Sequence, residues 1–467
     1  MRPVVSWVLL AAASAAAGSA ADPVDGYVRA EMKARGIPGL SLAVVKGGQV
    51  VKSEGYGVAS LELDASATRD TIYEIGSISK QIAANAILLL VEDGKIRLDD
   101  PVSSYLDNPP ARWAPITIRH VLTHTAGLAD FDTGDIGFSY RREYSAREFV
   151  DLLGRQPLQF APGERWNYTN AFPLVGMVVE RAAGQPYVDF VEKRIFAALG
   201  LRSARFKRAG DVVPHRADGY LLKNGEYTHG ESARPMIIAA NGGVMMSVAD
   251  FAAWDIALTS GRLLKPESMA AMTSPVRLTS GKTVSHGLGW FMDTFNGHEF
   301  GAHWGTTVAG YSAVIRRYVN DGVTVIVLAN VDEGGGFAVD AISKGVANIY
   351  VPGVIVQGLE PKADSDPAET TRLTTALRAV GANTETAAAP GLAARLPAPV
   401  RARLASVLET ATAIDALGDE RIGARHFVAN PEIVRLRRYR ARTPAGARFL
   451  TLQLSSTGSL VGVIVEE

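Results

Sequence analysis

The sequence predicts an α+β fold: one antiparallel sheet flanked by helices, with a helical subdomain inserted into it and a small α+β domain behind. Three observations predict it. β-Rich runs stand at both ends of residues 24–350, the section between them reads as mainly helical, and a Pro/Asp-rich shift in composition at about 352–370 sets off the last hundred residues. The chain has 467 residues, 47% hydrophobic and 21% charged. That is enough for about two or three domains, each with its own core. The expected division is 1–21 signal peptide, 22–352 main domain, 353–367 linker and 368–467 C-terminal domain.

The elements follow in order. Arg2, an apolar stretch from Val4 to Ala17 and the small residues Gly18-Ser19-Ala20-Ala21 before Asp22 have the order of a secretory signal peptide. About 14 apolar residues fall short of the ~20 that span a bilayer. No later stretch is long and apolar enough, so the mature protein is expected to be soluble and secreted or periplasmic. Val24 to Arg35 reads as an amphipathic helix, Gly39 to Val45 as a strand, Gly47-Gly48 as a tight turn and Gln49 to Gly57 as the partner strand. Ile78, Ile82, Ala86, Leu89 and Leu90 mark an apolar helix over about 78–93, closed by Gly94. Residues 100–285 mix helical segments with Gly/Pro/Asp-rich loops. Strand character returns at Tyr311 to Tyr318, turns at Asn320-Asp321-Gly322 and resumes over Val323 to Leu328, and Ala338 to Tyr350 reads as a helix. Beyond the linker an Ala/Arg-rich helical stretch (368–411) precedes three β-like runs, Val434 to Ala441, Arg448 to Leu454 and Leu460 to Val465. The arginines 435, 437, 438, 440 and 442 read either as a solvated sheet face or as a basic surface for an anionic polymer or partner.

Composition removes several classes of function. Lys+Arg and Asp+Glu each total 48, so the formal net charge is zero. With no polybasic run, neither a nucleic acid nor an anionic lipid surface is an expected partner. Cysteine is absent, which excludes a disulfide framework, a cysteine nucleophile, iron–sulfur ligation and thiolate zinc sites. His120 and His124 are four apart but lack the glutamate of a zinc-protease helix, and Gly334-Gly335-Gly336 lacks the Lys-Ser/Thr of a phosphate loop. No metal and no cofactor are expected. His124 reads as part of a helix end closed by Gly127.

Three sets of residues can carry chemistry. Ser77 and Lys80 lie three apart at the start of the apolar helix, on one face. A serine hydroxyl becomes a nucleophile when a neighbour accepts its proton, and a buried amine can do so. The other reading is structural: Ser77 as an N-cap and Lys80 as a solvated first-turn residue. Tyr168 and Asn170 form the second set, a phenol that can move a proton and an amide that can orient a substrate. Tyr318-Val319-Asn320 repeats that spacing and reads as a strand end. The third is His303-Trp304-Gly305, where an imidazole can bind substrate and a glycine admits close approach. Its structural alternative is a hydrogen-bonding histidine on an edge strand.

In order, Ser77-x-x-Lys80, Tyr168-x-Asn170 and His303-x-Gly305 resemble the penicillin-recognising serine hydrolases, in the class C β-lactamase-like group with its DD-carboxypeptidases, D-aminopeptidases and esterases. The flanking segments are similar too: Leu122 to Leu128, Pro162-Gly163 through Asn170 to Gly184, and Asn241-Gly242-Gly243-Val244 through Ser247 and Asp250. The resemblance covers about 24–350 and implies a β-lactamase/DD-peptidase-like fold for the hydrolase domain. It implies Ser77 as acylated nucleophile, Lys80 as its proton acceptor or electrostatic partner, and Tyr168 as general base and then general acid. Asn170 and His303 would contact substrate, with the backbone N–H groups of Ser77 and Thr306 (the residue after Gly305) as oxyanion hole. Two departures stand out. His303-Trp304-Gly305 replaces the Lys-Thr-Gly of true class C β-lactamases, and Trp304 is bulky where many relatives are small. The expectation is an exported serine hydrolase acting through an acyl-enzyme on a small ester, amide or D-amino-acid peptide. The alternatives are a β-lactamase proper and a non-catalytic cell-wall binding or assembly protein on the same fold.

Overall fold

The computed structural model describes residues 22–132, 136–206, 208, 210–231, 236–427 and 432–466; the expected signal peptide lies outside them. Helix α1 (Pro23–Arg35) begins under an Asp22 cap and ends at Gly36. Strands β1 (Gly39–Lys46), β2 (Gln49–Ser60) and β3 (Ala65–Ser66) come from the N-terminal end of the main region. From its C-terminal end come β4 (Phe291–Phe295), β5 (His298–Thr307), β6 (Tyr311–Tyr318) and β7 (Val323–Ala329). They join into one seven-stranded sheet in the order β4-β5-β6-β7-β1-β2-β3. The seam is the antiparallel pairing of β1 with β7, Leu40 opposite Ala329 through Lys46 opposite Val323. Every residue of β6 and β7 is buried, as central strands covered on both faces require.

One face of the sheet carries α1 and, from the far end of the region, the helix Phe337–Tyr350. Val24, Val28, Val325, Val327, Val339, Ile342 and Val346 build the core between them. The other face carries the helical section. Its central helix, Ser79–Glu92, is labelled α2 and is buried from Ser79 to Leu90. Its apolar residues are spread round the helix, and Ser79, Lys80, Gln81 and Asn85 are buried with them. Around it pack α3 (Ile118–Leu122), α4 (Pro173–Ala183), α5 (Val248–Thr259) and α6 (Pro266–Thr273); the helix Phe337–Tyr350 becomes α7.

Four features depart from the sequence reading. The hairpin β4–β5 was not expected, although its Asn296-Gly297 turn (φ +50° and +84°) is the dipeptide that two-residue hairpins favour. The inserted section also holds strands, of which Val244–Ser247 pairs with Ile72–Glu74. Helix α3 ends at Leu122, and the left-handed residue after it is His124 (φ +58°), not Gly127 alone. His303 sits not on the outermost strand but on β5, between β4 and β6, at the point where the pairing with β4 ends.

The C-terminal region contains α8 (Pro367–Gly381), α9 (Ala398–Thr410) and a four-stranded antiparallel sheet, β8 (Ala413–Arg421), β9 (Arg435–Thr443), β10 (Gly446–Leu454) and β11 (Leu460–Glu466). Leu373, Leu377, Leu404, Leu408, Leu450 and Leu452 make its core. Within 353–367, Val356 and Leu359 pack against Leu417 and Phe449, while residues 360–363 and 365–367 are exposed. Strand β8 was not expected, because Ala413 to Arg421 is rich in Asp, Ala and Gly. The arginines of β9 explain it. Arg435 pairs with Asp419 and Glu369, Arg437 with Asp364 and Glu369, Arg438 with Glu420, and Arg440 and Arg442 with Asp415. All five are paired and so form no free basic surface; Arg437 and Arg438 are buried, Arg435 and Arg440 are half-buried, and Arg442 is exposed.

Candidate active site

Ser77 lies in a turn of 3₁₀ helix, Gly76–Ile78, that runs directly into α2. The strand Val244–Ser247 holds that turn: Ile75 N–H donates to Val244 O (3.0 Å) and Val244 N–H to Ser79 Oγ (3.1 Å). Ser77 caps neither helix. Lys80, one turn on, is fully buried rather than solvated. Its Nζ donates to Ser77 Oγ at 2.9 Å and to Asn170 Oδ1 at 3.1 Å, with the Asn241 carbonyl at 3.5 Å. Burial pushes its pKa down from 10.5 to about 7, against the opposing pull of Asp130 and Asp132.

Tyr168 and Asn170 arrive on an extended segment before α4, and the loop after α3 sets its position. Gln159, Gly163 and Asn167 donate their N–H groups to the carbonyls of Gly127, Thr125 and His124, and Thr169 N–H donates to His124 Nδ1 at 3.2 Å. The His124 ring then packs on Tyr168 with centroids 4.4 Å apart. Lys80 Nζ lies 5.0 Å from the centre of the Tyr168 ring. Burial raises the Tyr168 pKa well above the ordinary phenol value. Asn170 Nδ2 donates to Asp130 Oδ2 at 3.3 Å.

Strand β5 closes the site. Strand β4 pairs with it only as far as Ala302, so from His303 onward that flank is free. It lies against the Ser77 turn so tightly that a Cβ on Gly305 would stand 2.0 Å from Ile75 O and 3.0 Å from Ser77 N. A Cβ on Gly76 (φ +51°) would meet Thr306 O at 2.6 Å. The backbones of Ser77 and Thr306 are thereby brought side by side. His303 is buried, its ring 6.2 Å from that of Tyr168. Its Nδ1 donates to Trp304 O at 2.6 Å, leaving Nε2 as an acceptor with no protein partner among the described residues. Burial and the Lys80 charge lower its pKa to about 3. Trp304 faces the other side of the strand, donating to Asp340 of α7 at 2.7 Å.

Sequence reasoning overlooked several neighbours. Asp130 lies two residues beyond Leu128, and His286 had no sequence signal; its buried ring is 5.0 Å from His124 and 4.8 Å from Phe291. Phe291 stacks on Tyr168 at 5.9 Å and sits on the hairpin that Asn296-Gly297 could have disclosed. Among the described residues no three His, Asp or Glu side chains come together as a metal's donor set.

Residues 24–347 match the family model described as Beta-lactamase. The chain belongs to the beta-lactamase family. It is a serine hydrolase of the β-lactamase-related kind, with penicillin-binding proteins, an esterase and an amidase among its relatives. It is 28% identical to Penicillin-binding protein 4* of Bacillus subtilis over 316 residues, 63% of this chain and 68% of that one. Esterase EstB of Burkholderia gladioli is 32% identical over 208 residues, 41% of this chain and 53% of EstB. The crystal structure of D-amino acid amidase from Ochrobactrum anthropi SV3 superposes with a TM-score of 0.59 at 25% identity, covering 70% of this chain and 98% of that one. Among the described residues of this beta-lactamase-family hydrolase no helix is long and apolar enough to cross a membrane.

Proposed function

We propose that this chain is an exported hydrolase that forms an acyl-enzyme at Ser77 and acts on a small ester, an amide or a D-amino-acid peptide. The observation that carries the reading is the 2.9 Å contact of Ser77 with a buried lysine whose pKa is lowered to about 7. At neutral pH a large share of such an amine is unprotonated and able to accept the serine proton. Tyr168 is pushed the other way and keeps its proton. Burial therefore favours Lys80 over Tyr168 as the first base, with Tyr168 as the acid that protonates the leaving group. Asn170 orients the substrate carbonyl, and the backbone N–H groups of Ser77 and Thr306 receive the developing oxyanion.

His303 argues on substrate class. An uncharged imidazole holds a substrate carboxylate less well than the ammonium of Lys-Thr-Gly. That favours neutral esters and amides over β-lactams, as does the presence of an esterase and a D-amino acid amidase among the relatives. The intact serine, lysine and tyrosine weigh against a purely binding role. We read residues 22–352 as the catalytic domain, 353–367 as its connection and 368–467 as an accessory domain. The leading 21 residues are read as a cleaved export signal, tested by N-terminal sequencing of protein recovered outside the cytoplasm.

The deciding experiment is turnover of p-nitrophenyl acetate by the mature protein beside Ser77→Ala. Loss of turnover in the variant is the expected result. Turnover unchanged by the substitution would remove Ser77 from the mechanism.

A further inference from the structure

The C-terminal region reaches the catalytic centre. The connection that leaves β8 runs across the edge strand β4, and four contacts pin it there. Phe427 N–H donates to Asp293 Oδ1 (3.0 Å) and Thr294 Oγ1 to Arg425 O (3.2 Å). Arg425 Nη1 donates to Thr273 O of α6 (2.7 Å), and its Nε meets Glu299 Oε1 at 2.9 Å. Arg438 lies over the Phe295 ring, 4.3 Å from its centre.

So held, the Phe427 ring lies 5.2 Å from Trp166 and 5.2 Å from Phe291 in edge-to-face contacts. Those two rings in turn flank the chemistry. Phe291 stacks on Tyr168 and meets His303 at 5.4 Å, while Trp166 meets His124 at 6.3 Å. All three aromatic residues are half-buried rather than enclosed in a core. Three rings that retain exposed surface beside the proton-donating phenol form an apolar wall.

We propose that Phe427 is a specificity-determining residue: the C-terminal region supplies one side of an aromatic wall, Trp166–Phe291–Phe427, that receives a ring-bearing leaving group. The wall lies on the leaving-group side because Tyr168 is the group that protonates the leaving atom. This rests on the acyl-enzyme reading above and names the substrate class for that site: esters or amides of an aromatic alcohol or amine.

The test compares benzyl acetate with ethyl acetate, and D-alanine benzylamide with D-alanine ethylamide. Within each pair the acyl group is constant, and intrinsic reactivity cancels when a variant is divided by wild type. Phe427→Ala is expected to lower the benzyl-to-ethyl ratio of kcat/KM about ten-fold, the scale on which apolar pockets discriminate. Phe427→Tyr restores the ratio, and Phe427→Leu gives an intermediate value and serves where the alanine variant folds poorly. A ratio unmoved in the variants, or equal losses on both members of a pair, overturns the inference and leaves the Ser77 reading standing. Wild-type turnover of none of the four substrates, or turnover that survives Ser77→Ala, overturns the reading beneath it and the inference together.

Discussion

Lys80 and His303 are both buried bases within one site, and burial lowers the pKa of each. Only Lys80 is brought near neutrality. A lysine must lose its proton to act as a base, so kcat/KM is expected to rise with pH through about 7 and level off above it. Below that point the fall is about ten-fold per pH unit. His303→Gln should leave the position of this limb where it is, since His303 is already neutral there. Lys80→Arg, whose guanidinium keeps its proton, should lower kcat/KM by roughly 1,000-fold and remove the limb. A limb that follows His303 instead would show that the imidazole is the titrating base. Ser77, Lys80, Tyr168 and Asn170 were legible as residue types at characteristic spacings. Asp130 and His286 were not, because their place in the site depends on packing between segments distant in the chain.

At the scale of elements, the catalytic turn and β5 are held by close backbone approach rather than by side chains. Gly305→Ala places a methyl 2.0 Å from Ile75 O, so strand and turn must separate. Misplacement on the order of 1 Å costs about 100-fold in rate. The expected outcome is at least that loss in kcat/KM with the far-UV circular dichroism retained; activity within two-fold of wild type would show that the approach is not needed. The opposite face of β5 is anchored by α7. Burial by itself raises the Asp340 pKa, but the charges of Arg316 and Lys344 and the Trp304 bond outweigh it and hold it at about 2. A carboxyl lower in the folded than in the unfolded chain stabilises above its unfolded pKa, and that stabilisation is lost as pH falls through the folded one. Asp340→Asn should therefore cost about 2 kcal/mol less at pH 2 than at pH 6, read from denaturant midpoints. An equal cost at both would refute the linkage.

For the whole molecule, the interface between the two regions is built from β4 on one side and β8, β9 and their connection on the other. The buried arginines make the C-terminal sheet sensitive. Arg437 is 2% exposed between Asp364 and Glu369, and removing one partner of a buried pair costs roughly 3–5 kcal/mol. Arg437→Ala should raise hydrogen exchange across residues 413–466 well before it affects the main sheet. Uniform change over the chain would mean that the two regions unfold as one. Raising the salt concentration should do little, since buried pairs are weakly screened.

Local sequence determined the parts of this protein whose signal is short in range. The periodic helix over Ser79–Glu92, the Gly47-Gly48 hairpin and the strands Tyr311–Tyr318 and Val323–Ala329 were all readable, because apolar period and turn chemistry act between near neighbours. So were the Ser-x-x-Lys pair and the Tyr-x-Asn triplet. Tertiary structure alone brought the two sets together, with Lys80 between Ser77 and Asn170. Only pairing of β1 with β7, some 290 residues apart, closes the sheet whose strand β5 lies against the Ser77 turn. Only packing around α2 removes water from Lys80 and lowers its pKa to about 7. The acidic strand β8 becomes a strand because five arginines of β9 lie beside or near its carboxylates. The Phe427 ring meets Trp166 and Phe291 because a second region folds across the edge of the first. Desolvation and proximity are properties of space, and local sequence specifies them only through the fold it produces.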